Sequence, residues 1–172
     1  GRYVAFLSSA SDVVSGVRTS GREVYVRDMQ SGTTEWLGEA YTGGEASGEF
    51  GRPNISGDGR FVSFWSSSSN LVPNDTNGRS DIFVRDRLSG AIEIASVGSA
   101  GQLGNGYCRG GEISGNGRYV VFSSDSNNLV SGDTNGVYDA FVRDRVTGET
   151  VRASVGADGA QANRDCELES IS

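Results

Sequence analysis

Two short stretches have the oxygen-rich spacing of a cation loop: NDTNGRSD, Asn74 to Asp81, and GDTNGVYD, Gly132 to Asp139. Both read D-x-N-G-x-x-D, with Asp75, Asn77 and Asp81 in one and Asp133, Asn135 and Asp139 in the other. Three side-chain oxygens on a tight loop that Gly permits suit a hard ion such as calcium, which takes about six to eight oxygen ligands. The loops are not EF-hands, because the Gly spacing and the terminal bidentate Glu are missing. The other reading is an Asx-type turn around Asn-Gly that feeds the next strand without metal. A third stretch carries Val17, Thr19 and Glu23 at the matching places and is expected to bind nothing.

Other chemistry is sparse. The chain has no His, which removes the commonest general base and zinc ligand, and the Ser-His-Asp triad with them. There is no G-x-S-x-G, and no two carboxylates are paired as in a glycosidase. The Gly-rich segments YTGGEASGEFG and GQLGNGYCRGG lack the Lys and the following helix of a phosphate loop. Trp36 and Trp65 could be sugar platforms or packing residues. Cys108 and Cys166 could form a disulfide within the chain, a disulfide between chains, or neither. Against the first, equivalent points on adjacent repeats are expected to be too far apart for the bond's Cα window of roughly 4.4–6.8 Å. A disulfide suits an extracytoplasmic protein, whether secreted, cell-surface or periplasmic, and that is the expected location.

The elements behind these residues repeat. Asp133 follows Asp75, and Cys166 follows Cys108, by 58 residues. Shifted by 58, the whole chain aligns with itself without a gap, giving repeats 1–58, 59–116 and 117–172. GRYVAF at Gly1 returns as GRFVSF at Gly59 and GRYVVF at Gly117. Val-Arg-Asp returns at Val26, Val84 and Val142. In the second repeat RFVSF alternates with period two and reads as a strand. DIFVRD and AIEIASV read as second and third strands, and PNIS as a short one before the hairpin SGDG. Arg and Asp of each Val-Arg-Asp should point to opposite faces and tie the strand to neighbouring turns. Val62, Phe64 and Phe83 are expected as core between repeats. Four antiparallel strands per tandem unit make an all-β propeller blade, which cannot bury both faces alone.

The motif S-G-[DN]-G-R-[FY]-V-x-F, followed by [DE]-[VIA]-[YF]-V-R-D-x-x-[ST]-G, resembles the TolB-like, WD-repeat-like bacterial β-propeller repeat. The likeness spans all three repeats. It departs from the family in having Gly where Pro is usual and a longer loop between the two motifs. It implies a scaffold fold used in many settings.

A net charge of -7 argues against nucleic acid, and no apolar run reaches the roughly 20 residues of a membrane helix. The absence of an initiator Met and of a signal peptide suggests a mature product or a piece of a longer chain. The last residues, Glu169, Ser170, Ile171 and Ser172, match the strand before a hairpin, and the first, Arg2, Tyr3, Val4, Ala5 and Phe6, match the strand after it. The two ends are therefore expected to pair across units. This could occur within a longer chain, in a six-bladed ring of two copies, or in an open head-to-tail array. The expected function is a non-enzymatic structural and interaction module whose partner is a copy of itself or the rest of a longer chain. The alternatives are a calcium- or glycan-binding propeller, and the propeller part of a larger enzyme.

Overall fold

The structure, a computed structural model, describes residues 1–17, 21–168 and 171. Among them there is no helix, and eleven strands form three antiparallel sheets. The first sheet is β1 (Tyr3–Ser8), β2 (Glu23–Asp28) and β3 (Thr34–Trp36). The second runs β4 (Phe50–Ile55), β5 (Phe61–Ser66), β6 (Asp81–Asp86) and β7 (Ile92–Ile94). The third runs β8 (Cys108–Ile113), β9 (Tyr119–Ser124), β10 (Asp139–Asp144) and β11 (Glu149–Arg152). Strands pair in chain order in each, as in a propeller blade.

Period-two alternation sorts the side chains of the middle blade into two cores. Val62, Phe64 and Phe83 face the first blade and pack with Val24, Val26, Leu37 and Phe50. Ile82 and Val84, with Phe61 and Trp65, face the third and pack with Val120, Phe122 and Phe141. Phe64 and Phe83 stack with centroids 6.1 Å apart, and Phe122 and Phe141 at 5.6 Å. Each such fully buried ring contributes about 1.5–3 kcal/mol of transfer free energy.

The hairpins are fixed by short-range bonds. Ser56 N–H donates to Phe61 O (2.9 Å), and Gly59 N–H to Ser56 O (2.9 Å). Ser56 Oγ donates to Asp58 Oδ1 (2.6 Å). Ser114, Asn116 and Gly117 repeat the arrangement. Gly59 has φ 75°, and a Cβ there would lie 2.0 Å from the Tyr3 ring of the first blade. Two demands thus meet at one residue: a left-handed turn and a flat surface for the preceding blade's aromatic ring.

Strand lengths differ from the sequence reading. The inner strands β4 and β8 have six residues rather than the four of PNIS, because a bulge between Gly51 and Asn54, and between Gly110 and Glu112, absorbs the glycines without ending the pairing. The outer strand stops at Ile94 rather than Val97. There Ala95 N–H still donates to Ile82 O (2.7 Å), but Ile82 N–H donates to the Ser96 hydroxyl (3.0 Å), so a side chain replaces one of the two bonds of the next rung.

The Val-Arg-Asp triplets act as expected of structural residues. Asp86 accepts two bonds from Arg60, the shorter 2.7 Å, and caps the next turn through Leu88 N–H (3.0 Å). Asp28 with Arg2, and Asp144 with Arg118, repeat this. The guanidinium bonds hold these carboxyls well below the usual carboxylate range. Arg85 reaches back to the Leu37 and Glu39 carbonyls of the first blade (both 3.3 Å), and Arg143 to Gly98 O of the second (3.3 Å).

Candidate functional site

The two oxygen-rich loops lead into β6 and β10, and each folds as an Asx-type turn. Asn77 Oδ1 accepts Arg79 N–H (2.9 Å), while its Nδ2 donates to Asp81 Oδ2 (2.8 Å) and Gly104 O (3.1 Å). Asn135 Nδ2 likewise donates to Asp139 Oδ2 (2.7 Å) and Ala162 O (2.9 Å). The Asn side chains therefore turn their amide nitrogens, not their oxygens, toward the aspartates. Ser96 Oγ donates to Asp81 Oδ1 (2.6 Å), and Ser154 Oγ to Asp139 Oδ1 (2.5 Å). The structure brings each set of three predicted residues together and adds the serine and a backbone carbonyl. Among the described residues no three His, Cys, Asp or Glu side chains form a metal-ligating group.

The three blades complete this framework differently. In the third, Arg152 on β11 lies against both aspartates, 3.2 Å from Asp133 Oδ1 and 3.6 Å from Asp139 Oδ2. In the second, the equivalent residue is Ile94. Asp75 is buried, its Oδ1 has no hydrogen-bond partner among the described residues, and burial together with nearby Asp81 pushes its pKa up to about 6. In the first, Val17 replaces the first Asp and Glu23 the second. Trp36 Nε1 donates to Glu23 Oε2 (2.9 Å). Gly38 stands where Ser96 is, and a Cβ there would lie 1.6 Å from Glu23 Oε2. The longer Glu thus occupies the space of the serine hydroxyl. Burial pushes Glu23 up to about 7, partly offset by the Trp36 bond. Thr19, the third residue expected to be inert, lies outside the described residues.

Sequence reasoning missed Arg152. Its signal was there: position 36/94/152 is Trp, Ile or Arg in repeats that otherwise match closely.

The cysteines are free thiols in this structure, so the intrachain disulfide is not formed. Each starts the same segment of a different blade: Cys108 N–H donates to Ser80 O (3.0 Å) and Cys166 N–H to Tyr138 O (2.7 Å). Burial pushes the Cys108 thiol up to about 12.

Trp36 is half-buried, with its N–H held by Glu23, which fits packing. Trp65 lines a cleft with Arg52, Tyr107, Arg109 and Tyr138. Arg109 lies 4.0 Å over the Tyr138 ring and Arg79 4.6 Å over Tyr107. This aromatic and basic cleft was not singled out from the sequence, because its residues come from separate repeats.

Of the terminal residues, Tyr3 to Phe6 lie on β1 and Arg2 directly precedes it; the only partner of β1 among the described residues is β2. Glu169, Ser170 and Ser172 lie outside the described residues, and Ile171 is not in a strand. Three of the four C-terminal residues of the expected pairing therefore lie outside the described residues.

No family model and no curated protein matches the chain. Solved structures do. TolB from Acinetobacter baumannii is 19% identical with a TM-score of 0.55, over 92% of this chain and 33% of that one. The β-propeller domain of the Trilobed protease from Pyrococcus furiosus is 14% identical with a TM-score of 0.53, over 88% of this chain and 39% of that one. Dipeptidyl peptidase 4 from Porphyromonas gingivalis is 13% identical with a TM-score of 0.52, over 88% of this chain and 24% of that one. The chain thus spans about a third of the length of TolB.

Proposed function

From its TolB-like β-propeller fold, we propose that this chain is a non-enzymatic structural and interaction module that joins to further blades of its own kind. The blades would belong to a second copy or to the rest of a longer chain. One observation carries the reading: Val62 and Val120 are fully buried, while Val4 at the equivalent place on β1 is 46% exposed. The inner edge of β1 also has no strand beside it among the described residues, whereas β5 has β4 and β9 has β8. An open edge beside an uncovered apolar face favours strand addition.

The joint residues support a partner with the same repeat. Between the first and second blades Arg87 Nε donates to Glu35 (2.7 Å), and between the second and third Arg145 Nε donates to Glu93 (2.5 Å). The 58-residue frame puts Met29 where the arginines stand and Val151 where the glutamates stand. Both are exposed. At a joint between a third blade and a following first blade, an apolar pair would replace the ion pair, with neither side left as an unmatched charge.

Sedimentation equilibrium of the 18.0 kDa chain tests this. The expected result is a self-associated species that Met29→Glu weakens at least tenfold, with Met29→Arg plus Val151→Glu restoring it. A monomer at all concentrations, unchanged by Met29→Glu, would overturn self-joining.

The absence of His supports the non-enzymatic part, and the TolB likeness supports an extracytoplasmic location. The likeness to propellers in peptidases favours a second reading, as the propeller part of a larger enzyme.

A further inference from the structure

The second and third blades share the same Asp, Asn and Ser framework, and only the third supplies its own cation. Arg152 there bonds Asp133 and is itself held by Gln161 Oε1 (2.9 Å). In the second blade Ile94 and Leu103 stand at those two places, and neither can offset a charge. Yet both aspartates are kept. Asp81 is fully buried and Asp75 is 8% exposed, with Oδ1 unpartnered among the described residues. Two buried carboxylates side by side without a counter-charge are strongly unfavourable.

We propose that the second blade binds a hard divalent cation between Asp75 and Asp81, at the position filled in the third blade by the Arg152 guanidinium. Asp75 Oδ1 is the free donor. Asp81 Oδ2, which accepts one bond from Asn77, is the second, and water completes the shell. The donors are all oxygen, which suits calcium over zinc. Two carboxylates match its charge. The ion would hold the loop before β6 to the blade, as Arg152 holds the loop before β10 to β11. This inference goes beyond the module reading and does not depend on it.

Calorimetric titration of the chelator-treated full chain with calcium chloride at pH 7.5 tests it. The expected stoichiometry is one ion per chain, with a melting temperature raised by calcium. Asp75→Asn and Ile94→Arg should each abolish binding. Ile94→Arg introduces the guanidinium, so it should melt no lower than the calcium-free parent, which separates loss of the site from loss of the fold. Arg152→Ile should raise the stoichiometry to two. No heat and no calcium-dependent melting shift would overturn the proposal. So would two ions in the parent, or binding that survives Ile94→Arg. Stability that rises on acidification through pH 6 and ignores calcium would assign Asp75 a proton in place of the ion, and would equally overturn it.

Discussion

In the third blade a guanidinium lies against two buried aspartates, and in the second an isoleucine stands at that place. The backbone around both is the same: one hairpin, one Asx turn, one serine on the second aspartate. The first blade takes a third course, in which a tryptophan N–H meets a glutamate and a glycine makes room for it. Residues that build the ladder and its turns recur because each blade needs them for itself. The residue that settles the local charge can vary, because any neutralising group serves. Between the second and third blades, the group that settles the local charge therefore sits at one position of the outer strand, Ile94 or Arg152.

The comparison can be broken at its shared parts or at its variable one. The largest effects should come from the shared core. Phe83→Ala in the second blade and Phe141→Ala in the third remove equivalent, fully buried rings. Each should cost about 3–5 kcal/mol in urea unfolding. Costs differing by more than about 2 kcal/mol would show that the blades are not energetically equivalent.

Next comes the variable position. Arg152→Ile, measured without divalent ions, leaves Asp133 and Asp139 facing each other and removes charged hydrogen bonds, which should cost about 2–3 kcal/mol. Ile94→Arg should cost nothing comparable. Equal losses from the two substitutions would mean that Arg152 acts only through packing.

Titration sharpens the contrast further. Asp75 is raised to about 6 and Glu23 to about 7. A raised carboxyl pKa means that the folded state holds its proton more tightly than the unfolded one. Stability from this source is fully present below the ordinary carboxyl values, near pH 4. It is lost as pH rises through about 6 for Asp75 and about 7 for Glu23. In the absence of divalent ions, urea midpoints should therefore increase from pH 8 to pH 5, and Asp75→Asn should flatten that increase; calcium should suppress the part that Asp75 contributes. Asp133→Asn should flatten it less, since Arg152 opposes the effect of burial on Asp133. Asp28, Asp86 and Asp144 act in the opposite sense. Their contribution is lost only as pH falls below the carboxylate range, outside this window.

The smallest change should follow Arg60→Ala or Arg118→Ala. These guanidiniums are 45% and 41% exposed in their ion pairs, so water and salt screen them. The two variants should behave alike, and 1 M salt should erase most of the difference from the parent.

The sequence by itself determined the period, the strands and the turns. Those depend on neighbours within a few residues: alternating apolar positions, Ser-Gly-Asp-Gly, Val-Arg-Asp. It also placed Asp75, Asn77 and Asp81 together, because a single tight loop holds them. Only the tertiary structure decided what meets the loop. Arg152 comes from another strand, 19 positions after Asp133, and Ile94 from the same place in a blade where the charge is missing. The Tyr3 ring on Gly59, Arg85 on the Leu37 carbonyl, and the cleft of Trp65, Arg109 and Tyr138 likewise join residues from different blades. The physical reason is that alternation tells each side chain which face it takes, but not which residue of the neighbouring blade lies opposite. That depends on how the sheets stack, and the stacking is set by all the buried rings at once.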